Sequence, residues 1–213
     1  VRKTKIDFEV DFRMNQSDES YWDMSVYRKN SEDNIPKIKQ SIDDLEFDFD
    51  KIMVCGRGSD RHPDFHPRFS TTSTDIDSDL YVLVDHDISS LRWIKREGNY
   101  ALSTIVHPSV VEKIEALGGK IFWFSPEYFD CDLPKIITGK YPRGNSGLAT
   151  ISLAAYFGIK NILISGINFS EKRYEQFLDG KDFVFSNLLN DGVKLFSLDG
   201  ILAEKIGFEE WRK

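Results

Sequence analysis

A chain of 213 residues with 40% hydrophobic and 13% aromatic residues can bury a sizeable core and suits one α/β domain with a small appendage. Its net charge of −7 excludes a general nucleic-acid surface, which needs a basic footprint, but leaves room for a local basic pocket. Cys55 and Cys131 form neither a zinc motif nor a disulfide framework, and the longest weakly polar run, Leu148 to Ile159, falls short of the roughly 20 residues that span a bilayer. The expectation is a cytoplasmic protein with reduced cysteines, no transmembrane segment and no nucleic-acid partner.

Residues 1–49 read as an N-terminal extension and 50–213 as the main domain. Ile6, Phe8, Val10, Phe12 and Met14 alternate with polar residues and predict a half-buried strand. A polar linker and the aromatics Tyr21, Trp22 and Tyr27 follow. Pro36 is suited to open a helix, and Ile35, Ile38, Ile42 and Leu45 recur at helical spacing.

From residue 50 short apolar runs alternate with helical patterns. Lys51–Cys55, Leu80–Val84, Ala101–Val106, Lys120–Phe124, Asn161–Ser165 and Val193–Ser197 read as strands buried on both faces. Helical patterns cover 89–97, 109–117 and 146–157, and the string from Phe183 to Leu189 reads as core. Residues 59–79 give no element, and His62 and His66, each followed by a proline, read as surface-loop histidines. The alternation predicts a Rossmann-like α/β fold, a mainly parallel sheet with helices on both faces and the N-terminal strand and helix added to it. In such sheets a ligand sits beyond the carboxyl ends of the strands, where this chain places Gly, Asp, His and Ser residues.

Five strand-end features therefore become site candidates. Gly56, Arg57 and Gly58 follow the first strand; a tight turn and a nucleotide contact are both open there, but the third glycine of a dinucleotide fingerprint is missing. Asp85 and Asp87 flank His86, a spacing that lets two carboxylates share a divalent cation, although Asp87 could equally cap the next helix. His107 is a candidate general base or a structural histidine. Gly144-Asn145-Ser146-Gly147 opens a helix of small residues, and a helix start offers unpaired N–H groups to a phosphate. There Ser146 is expected to cap the helix and Asn145 to reach a base or phosphate. Asn168 and Tyr174 follow the fifth strand as cleft residues.

The block from Ser146 to Phe169 has the pattern S-G-x5-L-A-x3-G-x3-I-x3-G-I-(D/N)-F. It resembles two related groups with Rossmann-like domains, the bacterial sialyltransferases represented in Campylobacter and the archaeal 6-hydroxymethylpterin pyrophosphokinase-like family with its motility accessory factors. The resemblance spans about residues 50 to 205. Likeness to the sialyltransferases implies a nucleotide-sugar-dependent transferase acting on a glycan acceptor, with Gly56, Gly58, Ser146 and Gly147 lining the nucleotide-sugar site and no metal required. Against that pattern, the proline of G-x-G-P-S is absent, Asn168 replaces an acid and Ser170 a tyrosine for which Tyr174 could substitute. No histidine follows His107, which leaves His107 or Asp85 as the base. Likeness to the pyrophosphokinases implies Mg2+ and ATP beside Asp85 and Asp87, with Arg57 and Arg143 balancing phosphate charge. A non-catalytic nucleotide- or glycan-binding module, and self-association as a homo-oligomer, stay open.

Overall fold

The computed structural model describes residues 24–58, 62–127, 131–140, 143–167, 177–199 and 202–213. The expected strand at residues 6–14, the aromatics Tyr21 and Trp22, and the candidates Asn168 and Tyr174 lie outside the described residues. Among the described residues no helix is long and apolar enough to cross a membrane.

The chain folds as an α/β protein of Rossmann-like layout. It contributes strands β1 (Lys51–Cys55), β2 (Arg68–Thr71), β3 (Leu80–Leu83), β4 (Asn99–Ser103), β5 (Lys120–Pro126), β6 (Lys135–Ile136), β7 (Gly139–Lys140), β8 (Arg143–Gly144), β9 (Asn161–Ser165), β10 (Lys194–Ser197) and β11 (Glu204–Lys205). Helices are α1 (Met24–Asn34), α2 (Pro108–Ala116), α3 (Ser146–Tyr156), α4 (Leu178–Asn190) and α5 (Phe208–Trp211). Nine strands form one parallel sheet in the order β11-β10-β9-β1-β2-β3-β4-β5-β6, and β7 and β8 make a separate antiparallel pair.

The six apolar runs are strands because both of their faces are covered. Ile52, Val54, Leu80, Val82, Ala101, Phe122, Ile162 and Ile164 join the core beneath α3 and α4. Their alternating neighbours face the other side, where Tyr81, Leu83, Tyr100 and Leu102 pack with α2, and Met53, Cys55 and Leu163 pack with Trp211 of α5. Helix α3 is buried along its length from Gly147 to Ala155, which is why it is apolar on all sides.

Three expectations need correction. Residues 59–79 contain β2, a central strand paired with both β1 and β3. Arg68 interrupts its apolar pattern, yet it is buried because its Nε donates to the Asp77 carbonyl. The helix expected across 35–45 is two 3₁₀ turns, Ile35–Lys37 and Ile42–Asp44. Ser41 breaks it: its backbone N–H binds Asp44 Oδ2 at 2.8 Å, its hydroxyl takes the Asp43 N–H at 3.2 Å, and Ser41 bridges to Trp123. The pattern at 89–97 is a 3₁₀ segment over Ile88–Trp93.

Helix α1 was not expected. Its buried positions Tyr27, Asn30, Ser31 and Asn34 follow helical spacing but are mostly polar. Asn30 Nδ2 donates to the carbonyls of His86 (3.2 Å) and Ile105 (3.0 Å). Asn34 Nδ2 donates to those of Thr104 (2.9 Å) and Val106 (2.8 Å). The helix thus closes over loop carbonyls beyond β3 and β4. Tyr27, Ile42 and Leu45 join the main core, so residues 24–49 pack onto the sheet.

Candidate functional site

The sheet order fixes where a crevice must open. From β1 the chain runs outward to β6, then α3 carries it back across the sheet to β9 on the other side of β1. The chain therefore continues to opposite sides of the sheet after β1 and β9, and the position beyond their carboxyl ends is the switch point favoured for ligands in open α/β sheets.

Glycines line this point for a definite steric reason. Gly56 N–H donates to Ser165 O at 2.8 Å and Gly58 N–H to Gly166 O at 2.7 Å, so the two loops run in contact. A Cβ on Gly56 would lie 2.7 Å from Gly166 O and closer still to Ile167 Cγ1. A Cβ on Gly147 would lie 3.0 Å from Ile167 Cγ2 and 2.9 Å from Asn145 Oδ1. Ile167 is thus wedged between the β1 turn and the start of α3. Gly166 has φ of 69°, a left-handed conformation that suits glycine.

The start of α3 differs from expectation in its division of labour. Asn145 is the cap: its Oδ1 accepts from Gly147 N–H (2.8 Å) and Leu148 N–H (3.1 Å). Ser146 Oγ instead accepts the Val84 N–H at 3.0 Å, tying the helix to the exit of β3. Of the first-turn N–H groups, that of Ser146 is left without a bond among the described residues. Asn145 Nδ2 likewise makes none among them.

The other candidates sit farther along the carboxyl edge. Asp85 Oδ1 accepts the Asp87 N–H at 3.1 Å, and Asp87 caps the 88–93 segment by accepting the Ser89 N–H at 2.7 Å. That bond holds the Asp87 carboxyl below its ordinary value. His86 lies edge-on to Tyr27, and burial lowers its pKa against the opposing pull of Asp85 and Asp87. Among the described residues no group of three His, Cys, Asp or Glu side chains gathers as a potential metal site. His107 caps α2, with Nδ1 accepting the Ser109 N–H at 3.2 Å. Arg57 leaves the Gly56–Gly58 turn and stacks over Trp93 at 5.4 Å. The described residues include the Arg143 backbone, in β8.

Two residues outside the expected set stand out. His62, expected as a surface histidine, is half-buried beside the switch point, with Nδ1 2.8 Å from Ser165 Oγ. Its Nε2 is buried without a hydrogen-bond partner among the described residues. Burial is the main cause of its lowered pKa, Arg68 adds to it, and the Gly56 carbonyl acts the other way. Pro63 disguised this histidine by ruling out a regular helix. Glu127, at the end of β5, is the second. Burial pushes its carboxyl up to about 7, although Oε2 accepts the Thr138 N–H at 3.1 Å. Its Oε1 is buried without a hydrogen-bond partner among the described residues, as is Thr138 Oγ1. Thr138 O in turn accepts the Asn145 N–H at 2.8 Å, so Glu127 stands one residue behind the GNSG turn.

No family model and no curated protein matches the chain. Among solved structures it is similar to the sialyltransferase CstII from Campylobacter jejuni in complex with the substrate analogue cytidine-5'-monophosphate. The TM-score is 0.33 and the identity 14%, over 70% of this chain and 80% of that one. A likeness this low carries no conclusion about function.

Proposed function

We propose that the chain binds a nucleotide at the β1/β9 switch point and acts as a nucleotide-sugar-dependent glycosyltransferase on a glycan acceptor. The observation that carries this reading is the convergence of the Gly56–Gly58 turn, Gly166 and the start of α3 on one seam beyond the carboxyl ends of β1 and β9. The Ser146 N–H, without a bond among the described residues, the Asn145 amide and the dipole of α3 are suited to a phosphate there.

In this reading an acceptor hydroxyl attacks the anomeric carbon of the donor sugar. The bond from that carbon to the phosphate oxygen breaks, and the nucleotide leaves with the electron pair. The acceptor's proton needs a base. His107 caps α2 through Nδ1, and Asp85 follows Val84, whose N–H binds Ser146 Oγ. His62 is better placed. Its Nδ1 lies 2.8 Å from Ser165 Oγ, and its lowered pKa favours the neutral ring that a general base needs. No step requires a metal.

Thermal-shift measurements with CMP and ATP, each with and without Mg2+, test the reading. Stabilisation by CMP without Mg2+ supports it. Stabilisation by ATP with Mg2+ alone transfers the site to a pyrophosphokinase, and no shift with either nucleotide overturns both. His62→Gln is expected to keep the CMP shift and lose transfer.

A further inference from the structure

The structure also holds a cleft away from the seam, on the α2 face of the sheet. It lies where the exit of β2 meets the segment after the 88–93 turn, and its walls include Thr72, Thr74, Asp75, Trp93, Lys95 and Arg96. Both oxygens of the Asp75 carboxylate are engaged there. Lys95 Nζ lies 3.2 Å from Oδ2, and the Arg96 guanidinium binds Oδ1. Trp93 carries the Arg92 guanidinium at 4.7 Å as well as that of Arg57. In a chain of net charge −7, this is a local concentration of cations around one carboxylate.

We propose that this cleft is a binding site for an oxyanion, the phosphoryl or carboxylate group of an acidic ligand, with Asp75 as its intramolecular stand-in. The two cations already hold a two-oxygen anion, which is the geometry an incoming oxyanion would adopt. They have donors to spare, since an ammonium has three N–H groups and a guanidinium five. Asp75 is easily displaced, because its side chain is 62% exposed and exposed ion pairs hold weakly. The turn that bears it is rich in hydroxyls: Thr71 Oγ1 lies 3.1 Å from Ser73 Oγ and 2.9 Å from Thr74 Oγ1, and Ser73 and Thr74 line the cleft. The Trp93 ring forms the adjoining wall of the cleft. This site is independent of the nucleotide reading and shares no residue with the seam except through Arg57.

Calorimetric titration of the full chain with inorganic phosphate, and separately with acetate, tests the proposal. Saturable binding is expected. Asp75→Asn removes the internal competitor and should tighten binding about fivefold or more, whereas Lys95→Met should weaken it about tenfold. Both side chains are at least half exposed, so the variants should melt as the wild type does. Preference for phosphate assigns a phosphoryl group; equal binding of acetate assigns a carboxylate. Absence of saturable binding, or the same affinity in Asp75→Asn and Lys95→Met as in the wild type, overturns the proposal.

Discussion

Ile167 holds the space into which a side chain on Gly56 would grow: a Cβ there would overlap Ile167 Cγ1 and lie 2.7 Å from Gly166 O. Gly56→Ala is therefore expected to destabilise the fold by about 1–3 kcal/mol through overpacking. Denaturant titration checks this. In an Ile167→Ala background the same substitution should cost less, with the part due to the 2.7 Å approach to the Gly166 carbonyl remaining, and equal costs in both backgrounds would refute the wedge.

Asn145 caps α3 through two hydrogen bonds from one oxygen. Asn145→Ala should cost about 1 kcal/mol, and Asn145→Asp, which keeps the capping oxygen, should cost less. Urea midpoints of the two variants decide this.

Glu127 gives stability a pH dependence with a definite sign. Its carboxyl is raised from 4.5 to about 7 in the fold, so the fold prefers the protonated form. That contribution is complete below about pH 4.5 and is lost as pH rises through about 7, amounting to roughly 3 kcal/mol at most. Glu127→Gln stays neutral at every pH and should flatten this part of the stability profile. An unchanged slope would show that another group carries it.

The two cysteines should react differently. Cys55 is buried in β1, and burial pushes its thiol up to about 12, whereas Cys131 is partly exposed. Alkylation of the native protein should modify Cys131 alone, with Cys55 reacting only on unfolding. Mass spectrometry of labelled peptides reads the outcome.

What the sequence disclosed depended on how each element is buried. Runs such as Lys51–Cys55 and Asn161–Ser165 were legible because strands covered on both faces must be apolar throughout. The segment β2 was not, because Arg68 is buried through a bond to a carbonyl nine residues away, and no local pattern encodes that bond. Helix α1 was hidden likewise, since Asn30 and Asn34 face inward to loops 56 to 75 residues distant. At the site, the GNSG turn and the Gly56–Gly58 turn were visible as glycines at strand ends. Their shared contact with Ile167 was not, because it exists only once α3 has returned the chain to β9. His62 was masked by its prolines, and its value comes from Ser165, a residue far away in sequence.

The asparagine grip of α1 has a consequence for the order of folding. An isolated helix of 11 residues is marginal in water, and this one has little apolar surface of its own. The four carbonyls it binds belong to loops made only after β3 and β4 exist. A segment that leaves the ribosome ahead of the sheet must therefore wait, and α1 docks only after β3 and β4 have formed.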